Sequence, residues 1–206
     1  PAMPQVTAVQ TSGAQTLPFG LSVKTDLVTV VNNVIASDIN TPQKELIKFL
    51  YDKGFIENID VAIENIGGEG KYSPETNSII IDPIVANTYS PEEIIKVLSK
   101  EIVHAITTYE IGKYFSVETG QRTETPLSSA MENLLLIFNT AKKSIPQGAV
   151  QMVREKIKTG KLTLEEKINY YPFIDIFEFV EMLFTEPKFR EKMNTVKYLN
   201  TNKTIL

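Results

Sequence analysis

A lysine and a glutamate shortly precede the single histidine of the chain. Lys100 precedes His104 by four positions and Glu101 precedes it by three. In a helix, residues three or four positions apart lie on one face, so the amine, the carboxylate and the imidazole would share a side. An imidazole can bind a metal ion or carry a proton, and a carboxylate can take a proton from an activated water. The spacing therefore makes Glu101 a candidate general base.

The spacing is that of the zinc motif His-Glu-x-x-His, in which two imidazoles four residues apart hold one metal ion. Lys100 stands in the place of the first imidazole. An ammonium repels a divalent cation, and its reference pKa of about 10.4 keeps it protonated. Because a catalytic zinc needs three protein ligands and this motif offers only His104, we expect no bound metal and no cofactor. The alternatives are a zinc held by His104 with unusual Asp or Glu ligands, and a solvated Lys-Glu pair beside a core-edge histidine.

Local signals predict the elements that must position this site. Ser90, Pro91 and Glu93 form a helix start with a capping box, and the apolar stripe that follows extends the helix to about Ile111. The turn residues 74–77 separate two strand-like runs and predict a hairpin just before that helix. A further strand is predicted at residues 59–66. Further helices are predicted at residues 26–35, 42–53, 127–143, 149–158, from 163 onward, 175–184 and 188–198.

These signals predict the α+β class: a small twisted sheet with an edge hairpin packs on the central helix, and a helical C-terminal half follows. Residues 1–23 are rich in Gln, Thr, Ser, Gly and Pro and are expected to form an N-terminal extension that packs on the domain or on a partner. Residues 24–206 show no second boundary and are expected to form a single domain.

Composition excludes several functions. The net charge is −4 and lysines are interspersed with acidic residues, so no basic face for nucleic acid is expected. The chain has no cysteine, which excludes disulfides, thiolate metal sites and a cysteine nucleophile. No apolar stretch approaches the length of a membrane span and no signal peptide is recognisable, so we expect no membrane partner and a cytoplasmic or virion-associated location.

Three segments occur in an order that carries a family resemblance. Residues 70–82 join an aromatic strand to a β-branched strand through a Pro/Asn turn, residues 97–107 contain Val-His-Ala-Ile-Thr, and residues 177–189 read Phe-Glu-Phe-Val-Glu-Met-Leu-Phe-Thr-Glu-Pro-Lys-Phe. Together they resemble small metallopeptidase-like domains of the zincin class, mostly encoded by phages and plasmids. The resemblance implies a zincin-like fold whose hairpin supplies a peptide-binding edge strand, here Ser78, Ile79, Ile80 and Ile81.

The resemblance also shows which metal ligands are lost. The family pattern of the downstream segment places the third ligand, a glutamate, at the position of Met182. Glu181 precedes it by one residue, a rotation of about 100° on a helix, so we do not expect Glu181 to replace it. Lys100 is expected either to pair with Glu101, Glu178 or Glu181 in place of the metal charge, or to extend to water.

The sequence thus favours a non-catalytic, metallopeptidase-like structural or protein-interaction module, encoded by a phage or mobile element. An active zinc metallopeptidase with atypical ligands is the alternative, and a toxin- or effector-type domain that binds host protein is a third. The expected partner is a protein or peptide, which includes its own N-terminal tail or a neighbouring subunit. The pseudo-active site would comprise Lys100, Glu101, His104, Glu178, Glu181 and Met182, with Glu101 as an inactive remnant of the base.

Overall fold

A computed structural model describes residues 17–114 and 128–196. The N-terminal half carries a small mixed sheet with its helices, and the C-terminal half is helical, which confirms the α+β class. None of the helices in these two ranges combines the length and the apolarity that crossing a bilayer requires.

The sheet has four strands in the described residues: β1 (Lys24–Asp26), β2 (Asp60–Ile63), β3 (Gly70–Ser73) and β4 (Ser78–Ile81). Their spatial order is β1-β2-β4-β3. β2 and β4 run parallel, whereas β1 and β3 are antiparallel to their neighbours. β3 and β4 form the predicted hairpin, and β3 therefore lies at one edge of the sheet.

The prediction that residues 78–81 form the edge strand is wrong. β4 pairs with β2 on one side and with β3 on the other, so its backbone groups are already used within the sheet. All four of its side chains are also buried, as expected for a strand covered on both faces: Ser78, Ile79, Ile80 and Ile81. The exposed edge of the hairpin is its first strand, β3.

The helices of the N-terminal half begin at well-formed caps. Asp26 accepts from Thr29 N, and Thr41 accepts from Lys44 N. Ser90 and Glu93 form the predicted capping box, with Glu93 Oε2 accepting from Ser90 N at 2.8 Å. These helices are α1 (Leu27–Ala36), α2 (Pro42–Asp52), α3 (Pro83–Thr88) and α4 (Pro91–Tyr114).

The C-terminal helices confirm most of the predicted starts. Thr163 and Glu166 cap each other's backbone, and Asp175 Oδ1 accepts from the amides of Phe177 and Glu178. The last helix ends at Met193, five residues earlier than predicted. These helices are α5 (Ser128–Lys142), α6 (Ala149–Lys158), α7 (Leu164–Asn169), α8 (Ile176–Thr185) and α9 (Pro187–Met193).

Two apolar cores meet at α8. The first, here called the sheet core, lies between the sheet and helices α1, α2 and α4. The second, here called the aromatic core, lies among the C-terminal helices and consists of Phe138, Ala141, Phe173, Phe179, Met182, Phe189 and Met193. Helices α4 and α8 pack against each other, so α8 has one face toward α4 and another toward the aromatic core.

Part of the predicted N-terminal extension packs on the domain. Leu21 is buried in the sheet core, and Leu17 and Phe19 pack against it. Asn33 Nδ2 donates to the Phe19 carbonyl at 3.0 Å, which ties this segment to α1. Residues 1–16 lie outside the described residues.

Candidate functional site

Helices α4 and α8 bring five of the six predicted site residues together. Lys100, Glu101 and His104 lie on the part of α4 that faces α8, and Glu178 and Glu181 face them from α8. Lys100 Nζ lies 3.4 Å from Glu181 Oε1, and the two side chains are only 17% and 7% exposed. His104 Nδ1 lies 3.7 Å from the other oxygen of the same carboxylate. Of the two predicted positions for Lys100, the structure shows the ion pair.

The prediction that Glu181 cannot take the place of the missing ligand is wrong, because Glu181 and not Met182 lies on the side of α8 that faces Lys100 and His104. Glu178 and Glu181 are three residues apart and form the stripe of α8 that faces α4. Phe179 and Met182 form the neighbouring stripe, and Met182 is buried in the aromatic core. Met182 therefore fills core volume, whereas Glu181 is the carboxylate that contacts Lys100 and His104.

Glu178 is also contacted by a residue outside α4 and α8. Its carboxylate forms a hydrogen bond with Tyr171, which precedes α8. Its Oε2 atom is buried and has no hydrogen-bond partner in the described part of the chain. This oxygen is an unused hydrogen-bond acceptor of the site, and leaving it buried without a partner costs folding free energy.

The five side chains line a cavity of about 540 Å³. Its other walls are the segment from Gly68 to Tyr72, which contains most of β3 and includes Glu69 and Lys71, and a set of residues from α4 and the C-terminal half: Val97, Ile157, Leu162, Lys167 and Tyr171. This volume falls within the range of about 300–1,000 Å³ that is common for ligand pockets.

The edge strand β3 passes directly over Glu101. A Cβ atom built on Gly70 would lie 2.9 Å from Val97 Cγ1 and 3.1 Å from Glu101 Cγ, too close for a real side chain. Two residues later, the Tyr72 ring packs near the His104 imidazole, with centroids 6.4 Å apart. Because alternate residues of a strand face the same side, Gly70 and Tyr72 form the face of β3 that lies on α4.

The carboxyl groups of Glu101 and Glu178 hold their protons unusually well. Burial, reinforced by the Glu181 carboxylate, raises the pKa of Glu101 to about 7. Burial and Glu181 likewise raise the pKa of Glu178 to about 7, although the hydrogen bond from Tyr171 opposes this. Near neutral pH both carboxyls are therefore partly protonated, and pKa values perturbed in this way are common at functional sites.

The two basic groups of the site remain good proton acceptors despite their burial. Burial alone would lower the pKa of Lys100, but the carboxylates of Glu181, Glu101 and Glu69 outweigh it and the net pKa is raised. For His104 burial is again outweighed, by Glu181, Glu178 and Glu101, and the pKa lies above its ordinary value. Lys100 is consequently an ammonium at neutral pH.

The donor atoms suit a metal ion, but the neighbouring charge does not. His104, Glu178 and Glu181 each offer one ligand atom, and these atoms lie within 4.8 Å of one another. One imidazole and two carboxylates are acceptable zinc ligands. The Lys100 ammonium, however, is paired with Glu181, so a dication at these ligands would have to displace it or remove its proton. The residues present fit a metal poorly as long as Lys100 is protonated.

Sequence reasoning missed three contributors to the site. Tyr171 lies in the short turn before α8, and no motif connects it with Glu178. Gly70 and Tyr72 were assigned to the hairpin without a role in the site. Alternation along the strand could have placed both of them on one face, but only the packing of β3 on α4 shows that this face lies against Glu101 and His104.

Comparisons with protein-family models, curated proteins and solved structures found no match to this chain. The resemblance to zincin-like domains therefore rests on the three sequence segments alone.

Proposed function

We propose that this domain is a non-catalytic, metallopeptidase-like protein-interaction module in which the Lys100 ammonium takes the place of a metal ion. The observation that carries the proposal is the buried ion pair between Lys100 and Glu181. A charge fixed to the chain neutralises one carboxylate and lies beside the imidazole that a metal would need. Glu101 is then a remnant of a general base that has no activated water to act on.

The interaction surface is the outer edge of β3. Asp82 N donates to Glu69 O, which makes Glu69 and Asp82 a hydrogen-bonded pair of the hairpin. In an antiparallel ladder such pairs alternate with pairs whose backbone groups do not bond to each other, and Gly70 and Tyr72 belong to the second kind. The alternation leaves the backbone N–H and C=O groups of Gly70 and Tyr72 directed away from β4. A partner strand can add to such an edge by backbone hydrogen bonds, with alternate side chains entering the adjacent cavity.

The partner is a protein or peptide in extended form, and the N-terminal tail of the chain or a neighbouring subunit is included among the candidates. Nucleic acid and membrane are not proposed as partners. In line with the resemblance, the module belongs to a phage or mobile element and acts in the cytoplasm or in the virion.

The zinc content of purified variants tests the proposal. The wild-type protein, equilibrated with a zinc buffer, is expected to hold well under about 0.2 zinc per chain, whereas Lys100→His is expected to hold about one. The reason is that the substitution removes the competing ammonium and adds a second imidazole at the helical spacing of the zinc motif. Lys96→His, an exposed position one turn earlier on α4, is the matched control and should gain none.

One zinc per wild-type chain, lost in His104→Ala, would contradict the proposal and favour the second candidate function. That candidate is a zinc metallopeptidase with His104, Glu178 and Glu181 as ligands and Glu101 as base, and it is supported by the convergence of the three donor atoms. A bound zinc would supply an acidified water there. Hydrolysis of a casein substrate by the wild-type protein, abolished in Glu101→Gln, would be its second signature.

A further inference from the structure

We propose that the segment accepted by the edge of β3 carries an aromatic residue, whose ring enters a second cavity at the adjoining end of the sheet. This cavity, here called the end cavity, has a volume of about 440 Å³ and is lined by the loop before β2, the β3–β4 hairpin and the C-terminal half of α4. The inference rests on the proposed function, because it uses the same edge of β3, and it adds the chemistry of the partner.

The end cavity combines buried apolar side chains with three aromatic rings. Ile59 and Ala105 are 7% and 2% exposed, whereas the rings of Phe55 and Tyr109 are 46% and 61% exposed. The third ring is that of the half-buried Tyr72. Aromatic rings attract one another in edge-to-face and offset arrangements, beyond the effect of the area that they bury. An aromatic side chain therefore gains more in this cavity than an aliphatic one of similar size.

The charges of the end cavity favour neither a basic nor an acidic side chain. Lys53 and Glu57 are the charged residues that line it in the described part of the chain, and they are of opposite sign and exposed. The other polar groups are the neutral carboxamides of Asn58 and Asn77. An aromatic anchor in a pocket with a polar rim is the usual composition of a binding hot spot.

Hydrogen bonds within the chain hold the polar wall of the end cavity in place. Tyr72 Oη donates to Asn77 Oδ1 at 2.8 Å, and Asn77 Nδ2 donates to the Asn58 carbonyl at 2.6 Å. The ring, the hairpin turn and the loop before β2 are thus connected, which lowers the cost of ordering them when a partner binds. The exposed carboxamide of Asn58 can pair with the backbone of a bound segment.

Tyr72 connects the end cavity with the edge of β3. It lines both cavities, and its backbone N–H and C=O groups are directed away from β4. A segment that pairs with Tyr72 therefore lies beside a residue of the end cavity, so that one segment can occupy both places.

The N-terminal tail is disfavoured as the occupant. Residues 1–16 contain no aromatic residue, and Phe19 packs against the sheet core. A segment of another protein is therefore the occupant to which this inference commits.

The test uses short capped peptides of alternating threonine and valine that differ only in their central residue: tryptophan, leucine or lysine. The chain has no tryptophan, so tryptophan fluorescence reports on the peptide alone. We expect its emission to shift to the blue when the full chain is added, and we expect the leucine and lysine peptides to compete about fivefold less well or worse. Spectra of protein labelled with ¹⁵N-glycine locate the peptide: the amides of Gly54, in the end cavity, and Gly70 should shift, whereas that of Gly148, at the start of α6, should not.

The double variant Phe55→Ala/Tyr109→Ala removes two of the three rings. Both side chains are substantially exposed, so we expect the variant to fold, which circular dichroism verifies, and to lose most of the preference for tryptophan over leucine. Phe184→Ala removes a ring that is 54% exposed on α8, outside the end cavity, and should bind like the wild-type protein. If the double variant failed to fold, the competition and the Gly54 amide of the wild-type protein would still decide.

The outcomes separate this inference from the proposed function. Equal binding of the three peptides, with a shift at Gly70 and none at Gly54, would overturn the inference and leave the β3 edge as an interface. A tryptophan preference that survives in the double variant would also overturn it, because the ring would then be bound elsewhere. Absence of binding by every peptide would overturn the β3 interface together with this inference, whereas the zinc content of Lys100→His would still test the role of Lys100.

Two further results would identify another occupant and so contradict the inference. If N-acetyltryptophanamide bound as tightly as the tryptophan peptide, the end cavity would be a site for a small molecule. If the Gly54 amide shifted with protein concentration in the absence of peptide, a second copy of the chain would fill the cavity.

Discussion

The two sides of α8 are buried in opposite ways. On one side, Phe179 packs in the aromatic core, with ring centroids 5.4 Å from Phe138, 5.8 Å from Phe173 and 5.6 Å from Phe189. On the other side, Glu178 and Glu181 face α4 among charged groups whose pKa values are perturbed. A single helix of ten residues thus joins a core of packed aromatic rings to a region that contains several buried carboxyl groups.

This difference indicates that the aromatic side of α8, rather than its charged side, stabilises the fold. Edge-to-face aromatic packing contributes stability beyond the area that it buries, and it has no need of charge. Buried ion pairs seldom stabilise a fold more than apolar residues of the same volume would. Carboxyls held near a pKa of 7 cost folding free energy at neutral pH, so we attribute their presence to function rather than to packing.

Phe179→Ala probes the aromatic side and should have the largest effect. Removal of a fully buried ring that contacts three other rings leaves a cavity, and we expect the free energy of unfolding to fall by about 3–5 kcal/mol. Phe184→Ala is the matched control, since Phe184 lies on the same helix with 54% of its surface exposed. Urea denaturation followed by circular dichroism measures both. Equal losses of unfolding free energy in the two variants would contradict the claim that the aromatic core is the stabilising side of α8.

Lys100→Met probes the polar side and should have a smaller but still substantial effect. The variant keeps the length of the side chain but leaves the Glu181 carboxylate without its ammonium, and we expect a loss of about 2–3 kcal/mol near pH 8. Lys96→Met, at an exposed position of the same helix, is the control. A change below about 0.5 kcal/mol in Lys100→Met, the usual range for surface substitutions, would show that Lys100 is solvated and does not replace a metal charge.

The sequence predicted where the helices and the hairpin lie along the chain better than it predicted which side of each helix faces the site. Caps such as Ser90–Glu93 and Thr163–Glu166 are local, so their helices could be placed from neighbouring residues alone. The three-residue strand β1 alternates too briefly to signal itself and was missed. The side of α8 that bears the site depends on how it packs between α4 and the aromatic core, and no local rule distinguishes Glu181 from Met182. The order of the strands, which makes β3 the edge, is equally non-local.

The smallest expected effect is that of Glu101→Gln, and its dependence on pH is its signature. The pKa of Glu101 is raised from an ordinary value of 4.5 to about 7 in the folded protein. Between those pH values the folded state keeps a proton that the unfolded chain has released, so the free energy of unfolding falls as the pH rises through this window. Above it both states are ionised and the full cost is present, whereas near pH 4 both are protonated and the cost is absent.

Glu101→Gln removes this titration without changing the shape of the side chain. We expect the variant to be more stable than the wild-type protein by on the order of 1–2 kcal/mol near pH 8 and about equally stable near pH 4. Glu191→Gln, at an exposed position on α9, is the matched control variant. Urea midpoints at several pH values measure the effect. If Glu101→Gln destabilised the protein at pH 8, the ionised carboxylate would be stabilising the fold, and the contrast between the two sides of α8 would lose its energetic basis.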